Sequence, residues 1–175
     1  MKKLLRVIIY PFIFIYLLFI LAPKTEGFYL LEEFLQTKKV VFSNEKHVDF
    51  GLMFHVKNPT IYFDSIKAGS IENSSLLFTL FYNRVSVKNF VIAKDFKDFF
   101  PGDIEILKAT HTILFPHIIK LQGRGEFGEL EGEVNLVQRE MRVLVRASGV
   151  LSRKYGQLLR GFKKTKEGYL YVQRF

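Results

Sequence analysis

Val48-Asp49-Phe50-Gly51-Leu52-Met53-Phe54-His55-Val56-Lys57 sets a large apolar side chain at every second position. Side chains of an extended chain leave on alternate faces, so Val48, Phe50, Leu52, Phe54 and Val56 fall on one side. Asp49, Gly51, Met53, His55 and Lys57 fall on the other. The run predicts a strand with one face in a core and one in water, and it points to a mainly β class. Asn58-Pro59 then predicts a turn, because proline brings no N–H to a ladder and Asn tolerates turn geometry. Ile61 to Ile71 reads as the returning strand.

Further along, Leu76, Phe78, Leu80 and Tyr82 alternate with Leu77, Thr79 and Phe81. Both faces are apolar, which predicts a strand covered on both sides, either central in a sheet or the wall of a groove. Leu77 and Phe81 are the candidate groove lining; the alternative is packing beneath a helix. Val85 and Val87 change parity with Phe90 and Ile92 across Asn89, which predicts a β-bulge. Phe99-Phe100-Pro101-Gly102 punctuates the chain before strand patterns at Ile104 to Ile113 and Ile118 to Leu121. In Gly128-Glu129-Leu130-Glu131-Gly132-Glu133-Val134-Asn135-Leu136, the apolar residues share a face with Gly132 and the glutamates face water. Met141, Val143, Val145 and Ala147 give the next strand after a turn near Gln138-Arg139. Leu151, Tyr155, Leu158, Leu159 and Phe162 return to helical spacing, predicting a helix over about 150–163. Tyr169 to Val172 closes the chain as a last strand.

In the other direction, Phe28, Leu31 and Leu35 recur at helical spacing in an amphipathic segment, 23–38, with a helix from about 26 to 37. Thr25 is the expected cap, and Glu26 suits the positive end of the helix dipole. Before it, Met1-Lys2-Lys3-Leu4-Leu5-Arg6 is a basic start, and Val7 to Ala22 carries no charge. That run spans only ~24 Å. With Leu4 and Leu5 added and Arg6 snorkelling, it approaches the ~30 Å of a bilayer core. The expected organisation is a cytoplasmic start at 1–6, a transmembrane anchor at 7–22, the amphipathic helix, and one extracytoplasmic domain at 39–175. Lys2, Lys3 and Arg6 keep the N-terminus inside by the positive-inside rule. A cleaved secretory signal is the rival, with Thr25-Glu26-Gly27 as the better cleavage site. The predicted fold is a single N-terminal transmembrane helix followed by a curved antiparallel β-sheet of about eight short strands with short flanking helices.

The 175 residues include no cysteine and no tryptophan, but 19 phenylalanines and eight tyrosines. Thiolate chemistry, disulfides and cysteine metal sites are excluded, and the aromatic content suits a pleated core. Of the net charge of +9, nearly all lies after residue 138, where ten basic residues face two acidic ones. Arg139, Arg142, Arg146, Arg153, Lys154, Arg160, Lys163 and Lys164 are the candidate basic surface, for anionic headgroups or an acidic partner. Nucleic acid is disfavoured by the expected compartment.

No pattern marks a catalytic, cofactor or metal site. The glycines at 123, 125, 128 and 132 lie between strand patterns, whereas a phosphate loop opens into a helix. His47 and His55 stand ~26 Å apart along an extended chain. His111 and His117 straddle Pro116 without a carboxylate partner. Asp95, Asp98 and Asp103 lack the spacing of a calcium loop. None of Ser74, Ser75, Ser148 or Ser152 sits on a nucleophile elbow. The expectation is a protein that is not an enzyme and takes no cofactor.

The anchor, the short helix, the antiparallel strands, the run from Gly123-Arg124-Gly125-Glu126-Phe127-Gly128 to Leu136, and Glu167-Gly168-Tyr169-Leu170-Tyr171 together resemble the type II secretion protein N (general secretion pathway protein N) family. That family is itself similar to the membrane-anchored β domains of AsmA-type proteins. The resemblance covers nearly the whole chain. It implies a bacterial inner-membrane protein with a periplasmic β domain, a binding or scaffold role in a type II secretion-like envelope machinery, secretion-machinery subunits as partners, and no catalytic residues. The alternative is a lipid-binding or lipid-transfer groove holding phospholipid or lipopolysaccharide, similar to AsmA-type or lipopolysaccharide-export modules.

Overall fold

The computed structural model describes residues 2–98, 100, 102–149, 151 and 158–175. Helix α1, Lys2–Leu21, is followed by α2, Lys24–Gln36. Twelve strands follow: β1 Val40–Ser43, β2 Lys46–Asp49, β3 Met53–Lys57, β4 Thr60–Phe63, β5 Ile66–Leu77, β6 Tyr82–Ile92, β7 Ile104–Thr112, β8 Phe115–Gly125, β9 Gly128–Asn135, β10 Glu140–Ala147, β11 Lys163–Lys164 and β12 Tyr169–Arg174. They form one curved antiparallel sheet in the order β1-β4-β5-β6-β7-β8-β9-β10-β12-β11, with β2 and β3 completing it beside β5. The class is mainly β, as the alternation predicts.

Several boundaries depart from the pattern for physical reasons. The run from Val48 to Val56 is a hairpin and not one strand. Gly51 takes φ +74° and its N–H bonds to an Asp49 carboxylate oxygen at 2.8 Å. The Phe50 N–H meets the Met53 carbonyl at 2.8 Å, so the chain reverses there and Phe50 is left exposed. A left-handed φ beside a side-chain-bonded Asp is turn chemistry that outweighs the apolar alternation. Asn58-Pro59 is a kink and does not reverse the chain, since β3 and β4 both pair with β5. The return falls at Asp64 and Ser65, at φ +50° and +69°. The strand expected from Leu76 to Tyr82 stops at Leu77, and Phe78 to Phe81 form the turn to β6. Thr25 lies inside α2, which starts after Pro23 with no side-chain cap.

The parity change at Asn89 is present, but no β-bulge makes it. Asn89 has φ +50°, and the β5–β6 ladder skips Glu72 and Asn89 together, with no extra residue on either strand. Ile92 is buried beyond that point and Val91 exposed, so both strands turn over together. The glycine-rich stretch is the β8–β9 hairpin; Gly128, at φ +107°, would drive a Cβ into the Arg146 carbonyl of β10. The helix expected over about 150–163 falls mostly outside the described residues, which include a 3-10 turn at Leu158–Gly161.

Directly paired residues on neighbouring strands project to the same side. One row runs Phe54, Leu76, Val85, Ala109, Leu121, Gly132, Val143, Tyr171. The next runs Val56, Ser74, Val87, Leu107, Gly123, Leu130, Val145, Tyr169. This apolar face is covered at both ends, by α2 at one and by residues following β10 at the other. There Leu151 and Leu159 pack on Phe127, Val143 and Val145. The reverse face has rows such as Leu77, Arg84, Thr110, Lys120, Glu133, Arg142, Val172 and is polar.

The expected span at 7–22 lies in α1, whose large side chains from Val7 to Leu18 are exposed where described. Among the described residues no single helix is long and apolar enough to cross a membrane. Ile9–Leu21 and Lys24–Gln36 pass that test only together, bent by 52°.

Candidate functional site: an apolar cavity beneath the second helix

Alternation on β3, β5 and β6 sends Phe54, Val56, Ser74, Leu76, Val85 and Val87 to the covered face. Helical spacing on α2 brings Gly27, Phe28 and Leu31 down above them. Phe42, Pro59, Ile71 and Phe78, with Ser75 and the Ala22-Pro23-Lys24 elbow, complete the wall of a cavity of about 520 Å³. That is within the ~300–1,000 Å³ of small-molecule sites. Its lining is almost wholly apolar, with the Ser74 hydroxyl donating back to the Val56 carbonyl at 3.4 Å.

Lys24 fixes the helix elbow at the cavity. Its side chain is only 4 % exposed, and Nζ donates to the carbonyls of Ile20 at 3.2 Å and Ala22 at 3.1 Å. It also pairs with Asp49 at 3.7 Å. The ammonium therefore sits where the carbonyls at the end of α1 lack helical partners and the dipole favours positive charge. One side chain ties the end of α1 and the start of α2 to the β2–β3 hairpin.

One turn further along α2, Phe28 packs on Phe42, Phe54 and His47, with ring centroids 5.9, 6.0 and 4.7 Å away. His47 stacks on Phe54 at 5.7 Å, and its Nε2 is buried without a hydrogen-bond partner, as is Glu45 Oε2. Burial raises the Glu32 carboxyl above the ordinary glutamate range; Glu45 adds to the rise and His47 opposes it. The lid thus rests on aromatic contacts beside a small group of ionisable side chains.

Leu76, and not Leu77, faces the cavity: Leu77 pairs with Met53 and Arg84 on the polar face. Phe81 lies in the β5–β6 turn and is exposed. The basic surface is less free than its sequence suggests. Arg142 bonds to Glu140 at 2.5 Å, and Arg146 pairs with Glu131 at 3.1 Å and Glu129 at 3.9 Å. Arg139 lies in the β9–β10 turn, Arg160 in the 3-10 turn and Lys163 and Lys164 in β11, all exposed. Arg153 and Lys154 lie outside the described residues. His47 and His55 are on adjacent strands, nearer than an extended chain would put them, but pair with Val56 and Val48 and so project to opposite faces. His111 contacts the Pro116 carbonyl at 3.0 Å. Sequence reasoning missed Phe28, Val56, Ser74 and Val87 as a group, because they meet only through register and the docking of α2.

The chain matches no family model, no curated protein and no solved structure.

Proposed function

We propose that this chain is a membrane-tethered, non-catalytic binding module that shelters an acyl chain, of phospholipid or lipopolysaccharide, beneath α2. The observation that carries the reading is the apolar cavity at the α1–α2 elbow. Its wall continues from Val87 to Leu107, an exposed residue on the same row of the sheet. Each methylene moved from water into such a site contributes ~0.8 kcal/mol, so a chain of modest length suffices for tight binding. Exposed apolar side chains along α1 support its role as the inner-membrane anchor, with the sheet in the periplasm.

Val87→Trp fills the cavity from its floor, and Leu77→Asp changes the polar face of the same strand pair. Native mass spectrometry of the full chain, released from membranes in mild detergent, should show bound lipid for the parent and Leu77→Asp, and at least about tenfold less for Val87→Trp. A lipid-free parent, or equal lipid in Val87→Trp with an unchanged circular dichroism spectrum, overturns the reading.

A scaffold role in a type II secretion-like machinery has separate support. β11 covers β12 only at Tyr169 and Leu170, so from Tyr171 to Arg174 the outer side of β12 carries no ladder partner among the described residues. An open edge of this kind accepts an added strand. Crosslinking from Gln173 to envelope secretion subunits in intact cells would support it; crosslinks to none of them would not.

A further inference from the structure

Antiparallel hairpins place alternate turns at opposite ends of a sheet, and here the two ends differ in kind. At one end lie Phe50-Gly51-Leu52, Phe78-Thr79-Leu80-Phe81 and Ile113-Leu114, which contain no charged residue. At the other lie Asp64-Ser65, the 93–103 connection with Lys94, Asp95, Lys97, Asp98 and Asp103, and Glu126-Phe127.

The uncharged tips form a joined rim. The Phe78 N–H bonds to the Leu52 carbonyl at 2.9 Å and the Ile113 N–H to the Phe81 carbonyl at 3.0 Å. Their side chains are open: Leu114 is 81 % exposed, Phe50 68 % and Phe81 58 %. Isolated exposed apolar residues are ordinary, whereas a contiguous set on successive turns marks an interaction surface.

The end of α1 identifies what covers this rim. Phe19 packs on Phe78 with ring centroids 5.2 Å apart, and Ile20 lies against Gly51. The helix therefore leaves the sheet from the rim itself, and the medium that covers its exposed apolar surface also reaches the tips. Arg84, paired with Leu77 at the start of β6, borders the rim, while Lys24 is buried and compensated by Asp49. An apolar rim with a cation beside it suits the headgroup layer.

We propose that the tips of the β2–β3, β5–β6 and β7–β8 hairpins enter the outer layer of the bilayer that holds α1. The proposal rests on the anchor reading above and is independent of acyl-chain binding. The β9–β10 turn at the same end carries Arg139, so the uncharged surface is confined to these three turns. The consequence is a second membrane contact that seats the α2 cavity against the bilayer.

Because the chain has no native cysteine, single-site labelling is clean. Full-length chains carrying Phe14→Cys, Phe81→Cys, Leu114→Cys or Asp98→Cys, each with a nitrobenzoxadiazole label, are reconstituted in phosphatidylcholine–phosphatidylglycerol vesicles. The expected result is strong quenching of the Phe81 and Leu114 labels by shallow doxyl lipids, with several-fold lower iodide accessibility than at Asp98. Iodide accessibility equal to that at Asp98 overturns the proposal, and a lipid-quenched Phe14 label shows that the anchor reading survives it. Tip labels hidden from iodide but untouched by doxyl lipid also overturn it, since protein then covers the rim. Lipid-quenched tip labels beside an unquenched Phe14 label would overturn both, since the bilayer that the tips meet would then not be one that holds α1.

Discussion

The two ends of the apolar face are built from the same sheet, yet one is packed solid and the other holds a cavity. At the β9–β12 end, Phe127, Val143, Val145, Leu151 and Leu159 are buried together, with Met141, Phe162, Tyr169 and Tyr171 against them. Large side chains from both layers interlock there. At the β3–β6 end the floor is Val56, Ser74, Val85 and Val87, and α2 lays mainly Phe28 and Leu31 over it. Small side chains beneath a helix that packs chiefly on β1 and β2 leave space unfilled. A protein interior is normally close-packed, so the unfilled end is the candidate site.

The largest test of this contrast is truncation. Phe127→Ala should destabilise the fold by ~3–5 kcal/mol, through lost transfer energy and a new void. Phe28→Ala, on a half-covered lid residue, should cost about 1–2 kcal/mol. Urea unfolding of both variants decides it, and equal losses would mean that the two ends are packed alike. The sharper test is a pair of opposite sign. Val87→Leu adds a methylene to the cavity and should stabilise by ~0.5–1 kcal/mol. Val145→Leu adds one to the packed end and should destabilise by ~1–3 kcal/mol. A loss at Val87 as large as that at Val145 removes the distinction.

Acid should separate the ends with the smallest effect. The Glu32 carboxyl is raised in the fold, so its contribution is fully present below the unfolded value and is lost as pH rises through the folded one. Glu140, held by hydrogen bonds from Arg142 and then Arg174, is lowered. Its contribution is present above the unfolded value and is lost as pH falls through the folded one. Hydrogen exchange, corrected for intrinsic rates and followed from neutral pH into the glutamate range, should show α2 tightening while β10 and β12 loosen. Glu32→Gln and Glu140→Gln should each abolish the change at their own end.

The sheet was legible in the sequence because Val134 and Leu136, or Val143 and Val145, repeat at the period of a strand. The helix α2 was legible because Phe28, Leu31 and Leu35 do not. The hairpin at Gly51 was hidden, since a two-residue turn preserves the apolar alternation from Val48 to Val56. The return at Asp64-Ser65 was hidden too, because neither residue is the glycine that usually marks a left-handed φ. The cavity had no local signature. Whether Leu76 or Leu77 faces it depends on pairing with Phe54, and the helix lid comes from a segment some 45 positions earlier.

The order of the strands also bears on how the molecule is made. From β5 to β10 every strand pairs with the one just before it in the chain, whereas β4 reaches β1, β5 also reaches β3, and β12 reaches β10 past intervening segments. Such local pairing carries little loop-closure cost, and contacts near in sequence favour rapid folding. As synthesis proceeds from the N-terminus, each finished hairpin offers an edge on which the next assembles. The sheet lengthens strand by strand, and the solid end, which needs the residues beyond β10, is the last to consolidate.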